Sequence, residues 1–134
     1  MSNHHSISRR HFLATGAAAT TTAPGAAVRP EDVIAPIAEV RLKLPALITL
    51  GNQARDHAAA GDWDGAAATF DDLENLWFEV EGAVGDADRD IYERAETAQG
   101  LINDGIDAEK PDRVATGATD QAAAVQAFLD AHPA

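Results

Sequence analysis

The stretch Asp62-Trp63-Asp64-Gly65-Ala66-Ala67-Ala68-Thr69-Phe70-Asp71-Asp72-Leu73-Glu74-Asn75-Leu76-Trp77-Phe78-Glu79-Val80-Glu81-Gly82-Ala83-Val84-Gly85 decides the fold. Trp63, Ala66, Phe70, Leu73, Trp77, Val80 and Val84 recur at steps of three and four residues, a heptad seam on one side of a helix. A half-buried strand needs alternation at period two, and this stretch has none. Asp62 suits an N-cap, Gly61 suits the stop of a preceding helix, and Gly85 is expected to end this one.

Both sides of this segment continue in the same style. Asp88 is the expected N-cap of a second helix, with Asp90 and Glu93 in its first turn and Ile91, Ala95, Ala98, Ile102 and Ile106 on its apolar face. Ala108-Glu109-Lys110-Pro111 reads as a loop. Asp112 is then expected to cap a last helix with Val114, Ala118, Ala122, Val125 and Leu129 on one face and Phe128 beside it, ending near His132-Pro133. Upstream, Ala46–Ala60 carries Leu47, Leu50, Ala54 and Ala58 at helical spacing, with Pro45 suited to a first turn. Residues 28–45 read either as an extended lead or as a short helix hinged at Pro45, because the residue before a proline disfavours helix. Helices joined by such short turns pack antiparallel. The expected architecture is all-α: an up-and-down antiparallel four-helix bundle over residues 46–134. Ala60-Gly61-Asp62-Trp63 also resembles the turn of a tetratricopeptide repeat, but no second copy follows at a period near 34 residues.

The first 27 residues read as an address. Ser8-Arg9-Arg10-His11-Phe12-Leu13 resembles the twin-arginine export signal. Phe12–Ala27 is uncharged and mildly apolar, and Ala23-Pro24-Gly25-Ala26-Ala27 offers small residues to a signal peptidase. The run is too short and too rich in threonine to span about 30 Å of hydrocarbon. The expectation is export of a folded protein to the periplasm or beyond, with cleavage near Ala27. Cleavage removes Arg9 and Arg10 along with His4, His5 and His11, leaving His57 and His132.

The 134 residues suffice for one domain. With 22 acids against 10 bases the net charge is −12, which excludes a phosphate-binding face for nucleic acid and adsorption on anionic membranes. The chain has no cysteine, so disulfides, thiolate metal sites, cysteine catalysis and c-type haem are excluded. Ser2, Ser6 and Ser8 are its only serines and all lie in the address segment, which removes serine hydrolysis from the remainder. Phosphate-cradling, dinucleotide and zinc-protease motifs are absent. The expectation is a non-enzymatic protein.

Carboxylates near the seam are the remaining chemistry. Glu74 and Glu81 are seven apart and flank the Trp63–Val84 seam, leaning toward a neighbouring helix. Trp77-x3-Glu81 is echoed by Tyr92-x3-Glu96 on the next helix. An antiparallel hairpin brings such acids together, and carboxylates inside a bundle are standard oxygen ligands for hard cations and iron. Solvation of an acidic helix face is the plain alternative. His57, near a helix C-terminus, is a fourth candidate ligand, though that position also suits interaction with the helix dipole.

The composite Leu76–Val84 and Asp88–Glu96 resembles the helical extracytoplasmic segments that accompany high-affinity iron permeases and those of imelysin-like iron-uptake proteins, where W-x3-E precedes D-P-x-x-Y-x3-E. Arg89 stands here in the place of that proline. The resemblance spans about Ala58 to Asp107. It implies a periplasmic bundle handling iron or another divalent or trivalent cation, with Trp77, Glu81, Tyr92 and Glu96 as the corresponding positions. The H-x-x-E and R-E-x-x-E motifs of those families are absent, so the implied role is an accessory to a membrane permease or another extracytoplasmic protein. The alternative is a metal-free interaction module, for which Phe78, on the side away from the seam, offers an apolar contact.

Overall fold

A computed structural model describes residues 36–133 of the chain. They form four helices: α1 (Ile37–Ala59), α2 (Trp63–Ala87), α3 (Arg89–Asp107) and α4 (Pro111–Ala131). Each helix packs on its sequence neighbours, α4 closes back on α1, and the α1–α3 diagonal barely touches. This is the antiparallel up-and-down bundle. None of the four helices is long and apolar enough to cross a membrane. The expected address segment, with Arg9 and Arg10, lies outside the described residues.

The α2 seam is buried from Ala66 to Val84, with Trp63 half-buried at its start. Around it lie Val40, Leu44 and Leu47 of α1, Ile91, Ala95 and Ile102 of α3, and Val114, Val125 and Phe128 of α4. The four helices meet at an apolar void of about 10 Å³ between Trp77 and Phe128.

Two short turns end in the same device. After α1, Gly61 takes φ +75°, the Asp62 N–H donates to His57 O (2.8 Å) and the Gly61 N–H to Ala58 O (3.0 Å). After α3, Glu109 takes φ 55°, the Lys110 N–H donates to Gly105 O (2.7 Å) and the Glu109 N–H to Ile106 O (3.2 Å). Both are Schellman caps. The second places a β-carbon in the left-handed region, which costs an L residue about 1–2 kcal/mol. Glu109→Gly is therefore expected to raise stability by about 0.5–1 kcal/mol in urea unfolding, after glycine's own entropic cost. Unchanged stability would remove the strain assigned to this turn.

Three boundaries and one helix face differ from the sequence reading. Residues 37–44 belong to α1, which runs through Pro45 without a break. Pro45 is exposed, whereas Val40, Leu44 and Leu47 beside it are buried, and burial worth about 1.5–3 kcal/mol per side chain outweighs the proline's cost of about 3. Helix α2 continues past Gly85 to Ala87. Gly85 serves close approach: a β-carbon there would meet Tyr92 Cδ1 at 3.3 Å. Helix α4 starts with Pro111 at its first position and Lys110 before it, so Asp112 sits in the first turn, where its charge favours the dipole, and caps nothing. The buried face of α4 holds Val114, Ala118 and Val125 as expected but leans toward Gln121, Ala124 and Phe128, leaving Ala122 and Leu129 half-buried.

Small residues set the helix spacing. Gly117 of α4 lies so close to α3 that a β-carbon would come within 2.7 Å of Ala98 O and 2.8 Å of Ile102 N. Gly51 of α1 similarly faces Gln121 and Ala118. Polar bonds cross this crowded interior. The Gln121 amide donates to Leu47 O of α1 (2.9 Å) and accepts from the Gln99 amide of α3 (3.1 Å), both side chains fully buried. Gln99 Oε1 ends the series without a donor.

Candidate functional site

The face between α2 and α3 holds the candidate residues. Antiparallel pairing places Trp77 beside the first turns of α3. Its indole N–H donates to Glu96 Oε2 at 2.6 Å, and its ring stacks on Tyr92 with centroids 5.8 Å apart and planes 26° apart. The Arg89 guanidinium lies over the Tyr92 ring, 4.8 Å from its centroid. The two aromatic-x3-acid elements therefore meet: Trp77, Tyr92 and Glu96 are in direct contact, and Arg89 completes a layered stack.

Glu81 joins this group at one remove. It lines an open groove of about 500 Å³ together with Gly82, Gly85, Asp86, Arg89 and Tyr92. Glycine at 82 and 85 keeps the α2 wall of this groove low. Glu74, one turn before Trp77, is 3% exposed and belongs to the bundle interior, so it takes no part in a solvated acidic surface.

His57 lies elsewhere. It sits in the last turn of α1, and its Nδ1 is 3.0 Å from Asp62 Oδ2. Asp62 Oδ1 accepts the Gly65 N–H at 2.9 Å, so His57 supports the cap of α2 at the end of the bundle away from Tyr92. Among the described residues no three histidines or carboxylates converge as a cation cage.

Arg89 and Asp86 were missed in the sequence reading. The signal for Arg89 was present: it precedes Tyr92 by three residues, a spacing that puts both side chains on one helix face. Phe78 is half-buried, and the large exposed apolar side chain of the described region is Leu42, 83% exposed on α1.

The α2–α3 junction closes beside this site. Asp88 caps α3 through the Ile91 N–H (3.2 Å), and its Oδ2 lies 3.1 Å from His132 Nε2. Arg41 donates to Leu129 O (2.7 Å) and His132 O (3.0 Å), tying the end of α4 to α1. The bond to His132, aided by the Ile91 N–H, lowers the Asp88 carboxyl from its ordinary value. The Gly65 N–H, aided by His57, does the same to Asp62. A carboxyl lowered by folding stabilises fully above its unfolded value near 4 and loses that contribution as pH falls through the folded one. Thermal stability is expected to fall on acidification from about pH 4 downward, and Asp62→Asn with Asp88→Asn to shrink that fall. An unchanged acid slope in the double variant would contradict it.

No family model matches the chain, and no curated protein or solved structure is significantly similar to it.

Proposed function

We propose that this chain is an exported, non-enzymatic bundle protein whose α2–α3 face takes up iron or another hard cation, as an accessory to a permease or other extracytoplasmic partner. The observation that carries the reading is the Trp77–Glu96 hydrogen bond, with Tyr92 stacked beside it. It joins two elements, the second starting eleven positions after Glu81, that in the sequence share only a pattern. Glu96, Glu81 and Tyr92 supply hard oxygen donors. The indole N–H fixes one oxygen of Glu96 and so aims the other, the role an outer-shell donor plays at a metal centre. With no cage of three protein groups among the described residues, water or a co-ligand would complete the coordination.

Calorimetric titration of the metal-stripped full chain with ferric, ferrous, cupric and calcium ions tests this. The expected result is a stoichiometric site of about micromolar affinity or tighter for at least one of them. Glu81→Gln, Glu96→Gln and Trp77→Phe should each weaken it by about tenfold or more. Weak, unselective binding that salt screens, or affinity unchanged in these variants, overturns the reading.

The second reading, a metal-free interaction module, is favoured by Leu42. Its neighbours on the outward side of α1, Pro45, Ala46 and Thr49, are exposed and uncharged on an otherwise acidic molecule. A helical fold indifferent to chelator, with a partner complex lost on Leu42→Glu, would support it.

A further inference from the structure

The buried amide series has a direction. Leu47 O is a backbone carbonyl and only accepts, so the Gln121 side chain must turn its Nε2 toward α1 and its Oε1 toward α3. Gln99 then has to present its own Nε2 to Gln121. Exchanging O and N in either amide would set two acceptors, or two donors, against each other, so one main-chain oxygen fixes both orientations. Gly51 leaves the room for this: a β-carbon there would sit 2.8 Å from Gln121 Nε2. Every N–H of the row is therefore aimed toward α1. At its other end Gln99 Oε1 is shut off from water and needs a donor.

The side chain at that end is Glu74. On α3, Tyr92, Glu96, Gln99 and Asn103 follow one another along a single ridge, and its first two members meet Trp77 of α2. On α2, Glu74 stands three residues before Trp77 and seven before Glu81, on the ridge that faces α3. The helices run antiparallel, so three residues back from Trp77 match three residues on from Glu96, and Glu74 comes level with Gln99. Glu74 is buried, and its Oε2, like Gln99 Oε1, is sealed from solvent. An ionised carboxylate would set a second acceptor against the amide oxygen, whereas a carboxylic acid O–H supplies the donor the row lacks. The charged groups nearest this level are Asp71 and Asp72 on α2 itself, Glu96 on α3, Asp120 on α4, and Lys43 and Arg55 on α1. The four acids favour retention of a proton, as does burial itself. Lys43 is bonded to Glu39 and Glu79, and Arg55 to Asp56.

We propose that Glu74 is a carboxylic acid in the folded protein and donates its proton from Oε2 to Gln99 Oε1, completing a row of hydrogen bonds from α2 through α3 and α4 to the α1 backbone. The row makes the α2–α3 contact a pH-sensitive joint. Loss of the proton turns a donor into an acceptor, opposite an amide oxygen whose orientation is already fixed, and the contact beside Trp77 loosens. The inference uses one oxygen of Glu74 and is independent of whether the α2–α3 face takes up a cation.

Carbon-13 NMR of the side-chain carboxyls tests it, with the full chain titrated from about pH 3 to pH 9, a range that brackets ordinary and raised carboxyl values. Glu74→Gln keeps the shape and carries a permanent N–H donor, and it identifies the Glu74 signal by its loss. Glu74 should change protonation at least about two pH units above the ordinary glutamate value near 4.3. The Gln99 side-chain amide signals should move at the same midpoint and stay still in the variant. Urea unfolding gives a second readout. A carboxyl that holds its proton more tightly when folded contributes fully below its unfolded value and loses that contribution as pH rises through the folded one. Between the two, the unfolding constant of the chain should rise by about tenfold per pH unit relative to Glu74→Gln. A Glu74 signal that titrates with the exposed glutamates, a Gln99 amide indifferent to the Glu74 midpoint, or a stability difference between chain and variant that stays constant over this range each overturns the proposal.

Discussion

Trp77→Ala is expected to destabilise the protein by about 3–5 kcal/mol, a large fraction of the 5–15 kcal/mol typical of a domain this size. Trp77 is 1% exposed, contributes to the central apolar packing between Leu44 and Phe128, and stacks on Tyr92. Truncation leaves a void that the rigid helices around it fill only in part, and it strips Glu96 of its indole donor. Trp77→Phe separates the two losses. It keeps most of the apolar volume and the stack, so the hydrogen bond and the residual space should together cost about 1–3 kcal/mol. Urea unfolding followed by far-ultraviolet circular dichroism measures both. Equal costs for alanine and phenylalanine would assign the whole effect to the Glu96 bond.

Gly117→Val should destabilise by about 1–3 kcal/mol or more, with helix content retained. Removing a helical glycine normally gains about 1 kcal/mol or somewhat less, so the expected sign is opposite to the propensity scale. The reason is steric. Atoms added at position 117 meet Ala98 O and Ile102 N, which belong to the α3 backbone and cannot rotate away as a flexible side chain could. The helices must separate, and that loosens Ala98, Ile102 and Ala118 together. Gly100, whose β-carbon would meet nothing within 4 Å, is the control: Gly100→Ala should be neutral or stabilising. Two glycines in packed helices thus predict opposite outcomes. A stabilised Gly117→Val variant would refute the close approach of α3 and α4.

Much of the fold was legible because the apolar period is regular and the caps obey local chemistry. Asp62 and Asp88 cap the helices they precede, as side chains that compete with the backbone do. The errors have a common cause. Pro45 and Gly85 look like breaks from their local preferences, yet tertiary packing overrides them: Leu44 and Leu47 hold α1 together, and Gly85 makes room for a ring seven residues later. That the two aromatic-x3-acid elements face each other was legible from their spacing on an antiparallel hairpin, whereas the Trp77–Glu96 bond and the Trp77–Tyr92 stack were not. Two further facts were not. The burial of Glu74 depends on how far α2 turns toward α3, which period counting fixes only to within a residue. The separation of His57 from the carboxylates depends on which end of the bundle each occupies. Arg89 was visible as a departure from a pattern, but its place on Tyr92 needed the pair of residues to be read as a helical i,i+3 contact.

The amide series from Gln99 through Gln121 to Leu47 has a mechanical consequence. The contacts it crosses are built from alanine and glycine, so the helix surfaces there are smooth. Smooth rods can slide by one turn with little change in packing, and a molecule that slides has several native states of similar energy. A fully buried glutamine pair admits one alignment only, because any slip strands two amides in apolar surroundings at about 1–3 kcal/mol each. The two glutamines work as a key in a slot. Replacing both with leucine or methionine should leave overall stability close to its present value and yet broaden the side-chain NMR spectrum, as the bundle begins to sample neighbouring alignments.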